Sequence, residues 1–555
     1  MNLRCWLQLL CCLTALSLAT DLPAQSTDGA VDADLLLTDG LLHVGDGAAA
    51  QPGDVAIVDD RIVAVGQFAV GKVGRVIDCS GLVVSPGFID LHNHSDQGVL
   101  SKSTRAVVNF LAQGCTTIVT GNCGGGPIDV ADYYAKLDNL GVGVNVAHLL
   151  PQGNLRSTVI GSEQRAATAD ELQRMRALAE QAMLDGAWGM STGLIYVPSS
   201  YADTDELVEI AKVIARHGGI YASHVRGEGT TLLDSIDEAL EIGSRAELPI
   251  HISHFKSSGK DSWGLVRAAS ANIEQARQAG QLVTADQYPY TASSTSLTAT
   301  IIPTWAQSGG TKRMLARFDD EQDGAKIRQA IEDKLVLTDG GERIQIAHYA
   351  ANPSWDGKRL SSISQQEGIA PLELVLEILR GGGAAIVYLG ISEEDVRFVM
   401  TLPWVATASD GSAKVPDETV PHPRSYGTFA RKIGHYAVEQ QVVTLEQAIR
   451  SSCGLPADIL GLEDRGYLRV GYHADIVVWD PSQFIDTATF TNPHQYARGV
   501  KYAFVNGQTA IADSYPTGSL AGKPLRHTSP HANGIAGPNG NEGQNTLAAP
   551  PAATR

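Results

Sequence analysis

The chain has 555 residues, enough for one large domain plus a smaller one, and its 43% hydrophobic and 19% charged content is that of an ordinary globular protein. A formal net charge of −19 with no basic stripe excludes a main role in binding nucleic acid or anionic lipid, because nothing supplies the phosphate-neutralising charge.

Residues 1–19 read as a secretory signal: an early cation at Arg4, a long apolar run, and small residues at Ser17 and Ala19. The run is short for a membrane span. The mature protein is therefore expected to be exported, periplasmic or extracellular, with no stable membrane insertion once the signal is removed. Cys5, Cys11 and Cys12 leave with the signal, and Cys79, Cys115, Cys123 and Cys453 are too scattered for a disulfide framework. A Cys115–Cys123 bridge is geometrically poor, since eight extended residues span roughly 25 Å against the ~6 Å a bridge needs.

From 30 to 85, segments such as "GDVAIVDDRIVAVG" alternate apolar and polar residues between Gly and Asp-Gly turns and predict short antiparallel strands. The same grammar returns over 460–525 in "GYHADIVVWDP" and "VKYAFVNGQTAI", so both ends are expected to build one small sheet domain. Between them, over 86–459, eight apolar runs end in polar residues: "GFIDLHNH", "TTIVTGNC", "VGVNVAHL", "GAWGMSTGL", "GGIYASH", "LPIHISH", "QLVTADQYPY" and "WVATASD". Helical patterns capped by Thr or Asp and closed by Gly separate most of them, which predicts a parallel (β/α)8 barrel. The gap before the last run is too long for one helix, so about 292–395 reads as an insertion, with the length expected of a lid. Residues 526–555, rich in Gly, Asn, Pro and Ala, read as a disordered tail.

Barrel enzymes carry their working residues at the carboxyl ends of the strands. His92 and His94 end the first run, Cys123 the second, His224 the fifth, His254 the sixth and Asp410 the eighth. Imidazole, thiolate and carboxylate converging on one barrel mouth are the ligand set of zinc or a similar metal. His251 is expected to pack against the barrel wall, His148 to be a structural hydrogen bonder, and Arg226 and Glu228 to brace a loop as an ion pair.

Beyond this chemistry, "GFIDLHNHSD", "GLEDRGYLRVGYHADIVVWDP" and the last-strand "SDG" resemble the amidohydrolase superfamily. "TGNCGGG", "YASHVRGEG", "HISHFKSSG" and "PHPRSYGTFARKIG" resemble its D-aminoacylase branch, the N-acyl-D-amino-acid deacylases, over about 34–523. The resemblance implies a distorted (β/α)8 barrel with a small β-sandwich. It also implies hydrolysis of the amide of N-acyl-D-amino acids to a carboxylate and a D-amino acid. By that likeness Cys123, His224 and His254 hold one tight zinc, His92, His94 and Asp410 border a second, weaker site, and no bridging lysine stands on the fourth strand. Asp410 becomes the general base and acid that takes a proton from the activated water and returns it to the leaving amine. Lys256 and Arg424 are candidates for the carboxylate of a small-molecule substrate, and Tyr196 and Tyr288 for further substrate contacts. Alternative readings are another amidohydrolase reaction (on a D-amino-acid-containing dipeptide, a cyclic amide, or a deamination) or a non-catalytic exported binding protein. Oligomeric state leaves no mark on the sequence.

Overall fold

The computed structural model describes residues 29–528; the expected signal at 1–19 and the tail beyond 528 lie outside them. No helix among the described residues is long and apolar enough to cross a membrane.

All eight expected runs form parallel strands: β1 (Phe88–Asp90), β2 (Cys115–Thr120), β3 (Asn145–His148), β4 (Gly189–Gly193), β5 (Ile220–His224), β6 (Ile250–Ile252), β7 (Val283–Gln287) and β8 (Val405–Thr407). Residues of β2, β4 and β5 are buried throughout, as expected when helices cover one side of a strand and barrel packing the other. Their helices follow the caps read in the sequence. Thr168 makes a capping box with Glu171 before the helix Ala169–Leu184, and Asp203 caps Thr204–Arg216. The ring closes where β1 meets β8. Asp410 N donates to His92 O at 2.8 Å, His94 N donates to Gly411 O at 2.7 Å, and buried Asp90 accepts from Ser409 N at 2.8 Å.

Hydrogen bonds join both ends of the chain in one nine-stranded sheet. Its strands are not all antiparallel as the turn pattern suggested: Val31–Leu42 pairs parallel with both Val70–Asp78 and Val83–Pro86. Two-residue periodicity gives the sheet two apolar faces. In Ile476–Trp479, Ile476 and Val478 join a cluster with Leu35, Val55 and Phe504, whereas Val477 and Trp479 enter the main core of the barrel.

The segment between β7 and β8 has its own sheet (Ser293–Ser296, Ala385–Tyr388, Ile344–His348) and its own core, including Ile327, Ile331, Ile346, Leu374 and Ile386. The described chain stays against the barrel beyond the sheet domain. Residues 524–528 are packed against the barrel: Leu525 N donates to Val146 O at 2.8 Å, Trp188 Nε1 donates to Leu525 O at 2.7 Å, and His527 N donates to Gly186 O at 2.9 Å. The composition there is tail-like, but the edge of β3 and the residues leading into β4 offer unpaired backbone groups that this segment satisfies.

Phe88 of β1 is fully buried and stacks on Phe429 at 5.6 Å, joining the barrel to a helix beyond β8. Phe88→Ala is expected to cost about 3–5 kcal/mol through lost burial and the cavity left behind. Urea denaturation followed by fluorescence measures it; a loss below about 1 kcal/mol would mean that this contact does not hold the barrel closed.

Candidate active site

Three of the site residues adopt left-handed backbone conformations that non-glycine residues rarely take: Cys123 (φ 51°), His254 (φ 37°) and Asp410 (φ 50°). Each lies just beyond its strand, where the turn swings the side chain over the barrel mouth. The turn after β2 needs glycine for close approach: a Cβ on Gly121 would lie 2.0 Å from Leu149 O, and one on Gly193 would lie 2.2 Å from Cys123 O. Such strain is typical of functional turns.

The side chains converge. Cys123 Sγ lies 3.6 Å from His224 Nδ1 and 3.8 Å from His254 Nε2, and those two nitrogens are 2.8 Å apart. Ligands held at the usual zinc distances stand roughly 3.3–3.7 Å apart around a tetrahedral ion; the two sulfur–nitrogen spacings match that range closely, while the two nitrogens would move apart by about half an ångström to share the ion. His94 Nε2 lies 3.0 Å and His92 Nε2 3.6 Å from Asp410 Oδ1, which gathers a second group. His92 Nε2 is also 3.2 Å from Cys123 Sγ, so the two groups touch. Sulfur with imidazoles in one, imidazoles with a carboxylate in the other, each with two buried members and one partly exposed, form a donor set that fits zinc.

Burial pushes the Cys123 thiol well up and holds His92 down to about 4 and His224 well below its usual value. Neutral imidazoles keep a lone pair for a metal, and a divalent cation among them would draw the proton off the thiol. Burial works to raise Asp410, but Arg424, His92 and His94 outweigh it and keep the carboxyl well below the usual range.

Every residue proposed from the sequence as a metal ligand or substrate contact, except His92, lines one cavity of about 340 Å³, and His92 is fully buried. Arg424 Nη1 donates to Asp410 Oδ2 at 2.7 Å, and its guanidinium lies 4.9 Å from the Tyr288 ring centre. The Tyr288 hydroxyl is buried without a hydrogen-bond partner. Tyr196 Oη is 3.1 Å from Thr295 Oγ1, on the strand of the inserted segment that forms part of the cavity wall.

Two carboxylates escaped the sequence reading. Glu228 does not pair with Arg226, which is held instead by Glu238 at 2.8 Å. Glu228 turns into the cavity, where it pairs with Lys256 and stands 3.0 Å from His254 Nδ1. Burial alone would raise its pKa, but Lys256, His224 and His254 drive it below the normal range. Asp286, in β7, accepts from His254 N at 2.8 Å and lies 2.8 Å from His251 Nε2 and 3.4 Å from His92 Nδ1. Its place at the end of the seventh run, in "ADQYPY", was the available signal. His251 is a member of this network rather than mere wall packing. His148 fits its structural role, with Nδ1 2.9 Å from Thr120 Oγ1 and Nε2 2.9 Å from Pro127 O.

Comparison with known proteins identifies the family and the fold. The amidohydrolase family profile matches residues 75–511. A D-aminoacylase of Alcaligenes xylosoxydans xylosoxydans is 34% identical over 518 residues, covering 89% of this chain and 98% of the relative. A crystal structure of D-aminoacylase superposes with a TM-score of 0.77 at 34% identity, over 89% of this chain and 99% of that one. An N-acyl-D-glutamate deacylase from Bordetella bronchiseptica, solved with zinc and a phosphonate mimic of the tetrahedral intermediate, superposes with a TM-score of 0.76 at 31% identity, over 89% of this chain and all (100%) of that one. With family profile, fold and metal-ready barrel mouth in agreement, this chain belongs to the amidohydrolase family, in its D-aminoacylase branch.

Proposed function

We propose that the protein is an exported, zinc-dependent N-acyl-D-amino-acid deacylase that hydrolyses the amide to a carboxylic acid and a D-amino acid. The observation that carries the reading is one cavity combining two touching metal-donor groups, a carboxylate poised beside them, and two cations. The activities of the 34% identical D-aminoacylase and of the Bordetella deacylase support the substrate class, and the signal-like residues 1–19 support export. When bound, zinc supplies a Lewis acid that polarises the acyl carbonyl and acidifies a water molecule.

The chain's own residues supply the rest. Asp410 takes the proton of the attacking water and passes it to the amide nitrogen, which departs only once protonated. Arg424 holds Oδ2 of that carboxylate, leaving Oδ1 beside His94 for the transfer. Lys256, Arg424 and the unpartnered Tyr288 hydroxyl form a cationic, donor-rich corner for the carboxylate of the substrate. Glu228 and Asp410 balance those two cations, so an arriving carboxylate shares donors that are already aligned.

Two outcomes are expected. Purified protein hydrolyses N-acetyl-D-methionine or another N-acetyl-D-amino acid and leaves the L-forms intact, as followed by amine release with and without added zinc; turnover of a hydantoin or a dipeptide alone would sink the substrate assignment. Asp410→Asn lowers kcat by at least about 100-fold, the scale of general acid–base catalysis, while zinc stays in the Cys123 group. Cys123→Ser, by contrast, loses zinc itself, as read by metal analysis after gel filtration.

A further inference from the structure

We propose that Asp286 and His251 form a positioning pair that sets the two metal-donor groups at once, fixing which nitrogen of His92 faces the metal and holding the backbone of His254 in place. The inference rests on the reading of His92 and His254 as ligands, and it adds residues that no ligand assignment includes. Asp286 is fully buried in β7 and reaches three neighbours with one carboxylate. Its Oδ1 accepts from the backbone N–H of His254 at 2.8 Å, and this residue holds the left-handed φ of 37°. Its Oδ2 stands 2.8 Å from His251 Nε2 and 3.4 Å from His92 Nδ1. His251 Nδ1 in turn stands 2.9 Å from Thr284 Oγ1 on the same strand as Asp286.

A carboxylate only accepts hydrogen bonds, so both imidazole nitrogens facing Oδ2 carry the protons. That leaves the lone pair of His92 on Nε2, the atom that faces Cys123 Sγ at 3.2 Å and Asp410 Oδ1 at 3.6 Å. Were the proton on Nε2 instead, His92 could not ligate through the atom that faces the other donors. His251 holds the same oxygen that faces His92, and His254 N holds the other, so Asp286 is kept from swinging away from His92. One buried side chain thus couples a ligand of the weaker group to the backbone of a ligand of the tighter group, in the manner of outer-shell partners of metal-bound histidines.

The test starts with chelator-stripped protein labelled with 15N-histidine. Its long-range 1H–15N spectrum is expected to show His92, assigned by its absence in His92→Gln, with the proton on Nδ1. Asp286→Asn presents donors where Oδ2 accepted; it is expected to weaken zinc binding 10–100-fold in a chromophoric-chelator competition and to lower kcat at least 10-fold with KM within threefold. His251→Gln keeps a donor facing Asp286 and is expected to keep kcat within threefold, whereas His251→Leu falls with Asp286→Asn. A proton on Nε2 of His92 overturns the proposal. So does an Asp286→Asn protein that binds zinc and turns over like the parent, or a His251→Gln that behaves like His251→Leu. If Asp286→Asn does not fold, the tautomer and the two His251 variants decide. The spectrum and the zinc competition need no substrate, so a protein inert to every N-acyl-D-amino acid would refute the proposed activity without touching this pair.

Discussion

The site depends on how the ring of strands shuts. Eight parallel strands must bring the first against the last, and here the join is made by buried Asp90, whose carboxylate takes hydrogen bonds from Asn93 Nδ2 and from the backbone N–H and hydroxyl of Ser409. Beyond it the two segments meet in a parallel β-bridge between Asn93 and Gly411. The backbone of Asp410 is tied to that of His92, and that of His94 to Gly411. The His92, His94 and Asp410 donor group is therefore a product of closure itself: the contacts that complete the barrel are the contacts that assemble the donors. Buried polar contacts of this kind are strong where fully satisfied and costly where broken, which makes metal-site geometry and fold integrity one problem at this seam.

Around that join the protein accepts local strain. Cys123, His254 and Asp410 sit in backbone conformations that cost of order 1–3 kcal/mol each, and the surrounding glycines let neighbouring strands approach closely enough to hold them. The same turns bring the imidazoles within about one metal diameter of each other. The electrostatics follow from the low dielectric: two cations and two carboxylates pair inside one cavity, Lys256 with Glu228 and Arg424 with Asp410. The charges are held ready rather than solvated, and a ligand carboxylate entering there meets donors that need no reorganisation.

Much of this was legible in the sequence. All eight strands appear as apolar runs ending in polar residues because a strand buried on both sides has no room for alternation. The rule that barrel chemistry lies at carboxyl strand ends then picks out His92, His94, Cys123, His224, His254 and Asp410. It should also have picked out Asp286, at the end of β7, but a carboxylate with no cation nearby in sequence carries no pairing signal. Glu228 was misassigned for the opposite reason: Arg226 stands two positions away, yet the loop turns one side chain toward Glu238 and the other into the cavity. Neighbours in sequence predict ion pairs only where the backbone is regular. The parallel pairings of Val31–Leu42 were hidden as well, since tight turns advertise hairpins and nothing local marks a strand that returns from a distance.

The segment over 521–527 has a consequence for how the molecule comes into being. It lies along β3 and meets Gly186 and Trp188 ahead of β4, through bonds from Val146 to Lys523 and Leu525 and from His527 to Gly186. These residues leave the ribosome after every barrel strand has emerged. Until they do, one edge in the ring stands with unpaired backbone groups, the kind of edge that invites association with another chain. Pairings across hundreds of residues also slow folding, because the entropy of closing the loop is spent before the contacts repay it. The barrel is thus a ring with one edge sealed only by residues that follow all eight of its strands in the chain.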